Sequence, residues 1–169
     1  LAGRLVPARQ ISSALGMMSH LCTVFEKGRL YMRAMQHELR RVGRGAGSKL
    51  ILLSSAARED AARWLAEMEG WNRKSLSPAS GRTLAMSTDA SDVGWGGTSS
   101  LSTVAGHWKD EERLLSINAR ELKAIGLAVQ TMLQTSPDLK TLTVKTDNVN
   151  AAAYVNKQGG PHPHLTALA

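Results

Sequence analysis

Between Thr83 and Asn156 the hydrophobic pattern changes period in an order that constrains the fold more than any other feature of the chain. Thr83–Thr88 is apolar and β-compatible, and Gly94–Ser99 reads as a second strand. After a turn near Ser99–Ser102, Thr103–Trp108 reads as a third. Three strands this close predict an antiparallel meander. Asn118–Leu133 then carries Leu122, Ile125, Val129, Met132 and Leu133 at helical spacing, and Ser136–Pro137 ends it. Lys140–Thr146 alternates as a strand, with Leu142 and Val144 on one face. Asn148–Asn156 reads as a short helix, broken at Gly159–Gly160–Pro161. The order β-β-β-α-β-α predicts an α/β fold, with helices packed on a mixed sheet.

The preceding residues read as helices. Ile11, Leu15, Met18, Leu21, Cys22 and Phe25 recur at steps of three and four and predict a helix over Gln10–Phe25, stopped at Lys27–Gly28. Met32, Met35 and Leu39 predict a second helix over Arg29–Arg41, with arginines on its other face. Val42–Ser48 is a glycine-rich loop, and Lys49–Leu53 is either a strand or a helix lead-in. A third helix, Ala56–Glu69, capped by Ser54 or Ser55, would bury Ala61, Trp64, Leu65 and Met68. Asn72–Arg82, rich in Ser, Pro, Gly and basic residues, reads as a linker. The chain thus divides into a helical segment, 1–82, and an α/β domain, 83–169.

Charge follows that division. Residues 1–82 hold 14 Lys and Arg against 6 Asp and Glu, whereas residues 83–169 hold 7 against 8. A basic excess favours polyanions, nucleic acid first, through phosphate neutralisation and counterion release; the plainer alternative is a solvated basic surface. The single cysteine, Cys22, excludes an intrachain disulfide framework and a thiolate zinc cage, and reads as a buried structural thiol. No apolar run approaches the roughly 18 residues of a membrane span, so no membrane partner is expected. The first residues lack the apolar centre of a signal peptide; the expectation is an intracellular protein of cytoplasm or nucleus, not a secreted one.

Three acids occupy special places in the α/β order. Asp89 ends the first strand, Glu121 lies in the first turn of the long helix, and Asp147 ends the fourth strand. If the first and fourth strands are neighbours, Asp89 and Asp147 emerge at one edge of the sheet, where the helix can bring Glu121. Carboxylates sharing a site repel one another unless cations neutralise them. Hard oxygen ligands suit Mg²⁺ or Mn²⁺, and two such ions about 4 Å apart are a device for phosphodiester hydrolysis. Each acid also has a plainer reading. Asp89 can belong to a turn, Glu121 can complete a capping box begun by Asn118, and Asp147 can favour the dipole of the short helix.

Four blocks stand in order between about Leu84 and Ala169: TDASDVGWGG, GHWKDEER, SINARELKA and TDNVNAAAYVNKQGG. Together they resemble the RNase H domain of retrotransposon polymerases, in particular those of DIRS-like, tyrosine-recombinase elements. The resemblance implies an RNase H-like fold, a five-stranded mixed sheet flanked by helices. It implies Mg²⁺-dependent cutting of the RNA strand of RNA–DNA hybrids, with Mn²⁺ as a substitute. The family's first three metal-binding acids fall on Asp89, Glu121 and Asp147, while Asp92 matches a variable position. The sequence stops at HPHLTALA, before the positions of the family's fourth acid and fifth strand, so the resemblance implies either a fragment with its C-terminal part missing or a reduced, repurposed domain. Ribonuclease H activity then depends on an acid supplied downstream. His162 and His164 read as exposed loop histidines rather than replacements. Residues 1–82 look like the thumb or connection at the end of a reverse transcriptase. The implied partners are an RNA–DNA hybrid or other nucleic acid, and the polymerase domain of the same polyprotein.

Other residues of these blocks have two readings each. Ser91, Thr146 and Asn148 flank the acids and are placed to hydrogen-bond ribose 2′-OH groups. Lys157 and Gln158 can touch a hybrid backbone, or the segment through Gly159 and Gly160 can be a helix C-cap. Trp95 and Trp108 read as core or sheet-face aromatics. Besides the enzyme, the sequence admits an RNase H-like module that binds nucleic acid or protein without cutting, and a structural domain packed against a polymerase.

Overall fold

The computed structural model describes residues 5–43, 45, 47–71 and 81–168. The chain forms two compact units, Leu1–Leu76 and Ser77–Ala169. Most of the segment read as a linker, residues 72–80, lies outside the described residues.

The first unit runs β1 (Leu5–Pro7), α1 (Ala8–Leu21), a 3-10 turn (Leu30–Met32), α2 (Arg33–Val42), β2 (Leu50–Leu52) and α3 (Ser55–Trp71). β1 pairs antiparallel with β2, Leu5 opposite Leu52. That resolves Lys49–Leu53 as a strand and adds a three-residue partner too short to give a periodic signal. α1 stops at Leu21, earlier than the expected Phe25. Phe25 instead sits in a tight turn, 2% exposed, against Trp64 with ring centroids 4.8 Å apart. Gly28 follows, and a Cβ there would stand 2.6 Å from the Trp64 ring, so glycine permits this approach. The second helix begins as the 3-10 turn rather than at Arg29, and Asp60 of α3 accepts a hydrogen bond from the Ala34 N–H at its start (3.0 Å).

α3 is rotated from expectation. Ala57 and Trp64 are buried and Ala61 and Trp71 pack against the same core, but Leu65 is 71% exposed and Met68 is exposed. Trp64 and Leu65 are neighbours about 100° apart around the helix, and the larger side chain takes the centre of the buried stripe. Ser54 caps this helix through the Ala57 N–H. Cys22 is half-buried, its thiol 3.5 Å from the Met32 sulfur, rather than fully buried.

The second unit runs β3 (Arg82–Ala90), β4 (Gly94–Ser99), β5 (Thr103–His107), α4 (Asp110–Arg113), α5 (Ile117–Thr135), β6 (Leu139–Lys145), α6 (Val149–Asn156) and α7 (Pro163–Thr166). The sheet order is β5-β4-β3-β6. β3–β4 and β4–β5 are antiparallel, while β6 lies parallel to β3 with Val144 opposite Met86. This is a mixed α/β fold, with four strands in this sheet among the described residues. Leu84, Met86, Thr88 and Ala90 alternate with exposed neighbours along β3, and α5 covers the buried face with Leu122, Ala124, Ile125, Ala128 and Met132. Gly97 admits that helix: a Cβ there would stand 2.8 Å from the Ala128 Cβ. Leu133, expected inside, is 45% exposed; Met132 beside it is buried, and neighbours on a helix lie about 100° apart, so Leu133 falls off the buried stripe. The two short helices α4 and α7, of four residues each, have no periodic signature. Trp108 is 3% exposed, and Trp95 packs against the same cluster, as aromatics of the core.

Candidate metal centre

Parallel pairing of β3 with β6 puts their C-terminal ends side by side. Asp89 is the penultimate residue of β3, and Asp147 follows β6 by two residues. α5 starts at Ile117 and brings Glu121 to the same edge. One carboxylate oxygen from each of Asp89, Glu121 and Asp147 lies within 4.8 Å of the other two. Asp89 and Asp147 are exposed, whereas Glu121 is 4% exposed.

The plainer readings of these acids fare differently. Ser116, not Asn118, caps α5, accepting from the Ala119 N–H. Glu121 therefore sits in the second turn, beyond the reach of a capping box. The loop after β3 is closed by Ser91, whose hydroxyl accepts from the Val93 and Gly94 N–H groups, so Asp89 is not the turn former. Asn148 caps α6 through the Ala151 N–H, so Asp147 stands next to the N-cap, and its plainer reading as an acid favoured by the helix dipole holds beside the metal reading.

Burial is the main cause that raises the Glu121 pKa above the ordinary carboxylate range; the Asp89 and Asp147 charges add to it, and the Ala90 N–H and Arg120 pull the other way. Glu121 Oε2 is buried without a hydrogen-bond partner. A buried carboxylate oxygen with no donor is costly, and a cation is the partner that answers both the burial and the repulsion. The donor set is all oxygen, which fits Mg²⁺ or Mn²⁺ rather than a thiolate-loving ion. Oxygens on one octahedral ion with bonds of about 2.1 Å stand about 3 to 4.2 Å apart, so small side-chain rotations bring this set onto one ion. The three acids thus form a cluster able to hold a metal ion.

The other expected site residues are spent on scaffolding to different degrees. Ser91 holds its loop as described. Thr146 Oγ1 accepts from the Asn148 N–H (3.2 Å), and Asn148 Nδ2 donates to Asn118 Oδ1 (3.0 Å), tying the start of α6 to the start of α5. Lys157 is the C-cap residue of α6, and Gln158 takes the left-handed conformation at φ 53°. Gly160 is required by packing, since a Cβ there would stand 2.4 Å from the Tyr154 ring. His162 and His164 are both exposed, but His164 lies in α7 rather than in a loop.

Sequence reasoning passed over Arg120 and set Asp92 aside as a variable position. Arg120 Nη1 contacts Asp92 Oδ1 at 2.8 Å and the Ser91 carbonyl at 3.2 Å. The signal was available: a cation directly before Glu121 and an acid three residues after Asp89. In the first unit, an open groove of about 850 Å³ is lined by Arg9, Ser12, Ser13, Leu39 and Arg40 together with loop glycines. No helix among the described residues is long and apolar enough to cross a membrane. No protein-family model matches the chain, and no curated protein matches it.

Proposed function

We propose that the second unit is an RNase H-type nuclease domain that hydrolyses the RNA strand of RNA–DNA hybrids with Mg²⁺ or Mn²⁺, and that the chain derives from a retroelement polymerase, the basic first unit being the end of its reverse transcriptase. The observation that carries this reading is the convergence of Asp89, Glu121 and Asp147 around a buried carboxylate oxygen that has no other partner. The neighbouring parallel strands β3 and β6, with α5 packed on the face of β3 and β4, support it, as does the resemblance of the four sequence blocks. A bound divalent ion supplies Lewis-acid activation of water and stabilisation of the leaving 3′ oxygen. Glu121, buried, would hold such an ion in a setting of low dielectric where its charge acts strongly. Asp89 and Asp147, both exposed, would complete its ligand set.

The test is a labelled RNA–DNA hybrid incubated with the chain in each metal. Three carboxylates are a small ligand set for two ions, and Mg²⁺ demands near-ideal octahedral geometry. Cleavage is expected to be feeble in Mg²⁺ and stronger in Mn²⁺, and Asp89→Asn should remove it. Cleavage that survives Asp89→Asn would place the chemistry elsewhere. Hybrid binding without cleavage in either metal would leave a non-cutting module.

A further inference from the structure

We propose that Arg120 is a positioning residue for the acidic cluster: it pins the loop after Asp89 onto α5, so that Asp89 and Glu121 present their oxygens to one cation. The inference rests on the metal-site reading of the cluster. Its basis is the set of contacts around one carbonyl. The Ser91 carbonyl oxygen accepts from two side chains, Trp108 Nε1 (2.9 Å) and Arg120 Nη1 (3.2 Å). The same Arg120 nitrogen reaches Asp92 Oδ1 at 2.8 Å. Ser91 stands two residues after Asp89, and Arg120 stands directly before Glu121. The pin therefore joins the two elements that carry those acids, with no intervening side chain.

Depth argues for a purpose. The Arg120 side chain is only 12% exposed, whereas the Asp92 side chain it meets is 92% exposed. Arg120 Nε is buried without a hydrogen-bond partner. A surface ion pair contributes little to stability, and sinking a guanidinium with an unmet donor opposes it. Stability alone is a poor account of such a residue beside three carboxylates. Groups that hydrogen-bond metal ligands directly are worth about 10- to 100-fold in metal affinity when removed, and Arg120 acts one step further out, through the Ser91 carbonyl.

Arg120 has two effects on a cation, and their signs differ. Pinning strengthens binding by fixing the Asp89 loop. Its positive charge weakens binding by repulsion. The test is a titration of the full chain with Mn²⁺, following free Mn²⁺ by its paramagnetic resonance signal, with thermal unfolding of each variant in parallel. Pinning predicts that Arg120→Ala weakens Mn²⁺ binding severalfold, short of the roughly 10- to 100-fold of a group bonded to the ligands themselves. Trp108→Phe keeps an aromatic ring and every charge but removes the second donor to Ser91, and should weaken binding in the same direction. Asp92→Asn, at an exposed position, should weaken binding severalfold at unchanged Tm. Affinity that stays equal or tightens in Arg120→Ala would overturn the proposal, because charge would then be the larger effect. If Arg120→Ala fails to fold, wild-type affinity in both Trp108→Phe and Asp92→Asn overturns it instead. A wild-type chain that binds no Mn²⁺ overturns the cluster reading beneath it, an outcome distinct from binding that ignores Arg120.

Discussion

Glu121 is the residue at which folding and ligand binding pull in opposite directions. Its ordinary pKa is 4.5, and burial together with the Asp89 and Asp147 charges raises it in the fold. In the pH range between those two values the folded state binds more protons than the unfolded one. The unit therefore loses stability as pH rises from about 4.5 through the raised pKa, and the loss is complete above it. Glu121→Gln keeps the shape and removes the charge. Without added metal it should raise Tm at neutral pH by a few degrees, roughly 0.5–1 kcal/mol for a unit of this size, and flatten the decline of Tm with pH. The same variant should lose the Tm increase that Mn²⁺ gives the wild type. Thermal unfolding from pH 4 to 8, with and without Mn²⁺, reads both effects. A Gln variant that is less stable at neutral pH, or still stabilised by Mn²⁺, would contradict this account of the residue.

Elements were legible in proportion to their length and periodicity. α5 carries its apolar residues over five turns, and β6 alternates through Leu142 and Val144, so both stand out in the sequence. β3 was recognised with Asp89 at its end, and only the pairing of Ala90 with Trp95 shows that the strand runs one residue further. β1, α4 and α7 span three or four residues each and leave no period to read. The rotation of α3 was hidden because neighbouring Trp64 and Leu65 are both apolar, and only packing against Phe25 chooses between them. The three acids were legible because each marks an end of a strongly patterned element. What joins them was not: the parallel register of β3 with β6 is a tertiary fact, and the charges of Arg120 and Asp92, visible in the sequence, do not by themselves show that the two meet.

At the scale of the molecule, charge and chemistry lie in different units. Arg9 and Arg40 line the groove of the first unit, while the acids lie in the near-neutral second. If the first unit holds nucleic acid, its affinity should fall steeply with salt. Removing one phosphate-binding cation should lower the log–log slope by about one. The double variant Arg9→Ala with Arg40→Ala should therefore reduce the slope by about two, measured by fluorescence anisotropy on a labelled hybrid. A slope unchanged by both substitutions would remove the groove from the interface. The central claim, that Asp89, Glu121 and Asp147 make one divalent-cation site, is tested most directly by an anomalous difference map from crystals grown with Mn²⁺. The account predicts a peak bonded to a carboxylate oxygen of each residue, at about 2.1 Å, the spacing of an octahedral divalent ion. A map with no peak among the three carboxylates, or with Mn²⁺ bound only elsewhere on the chain, would contradict it.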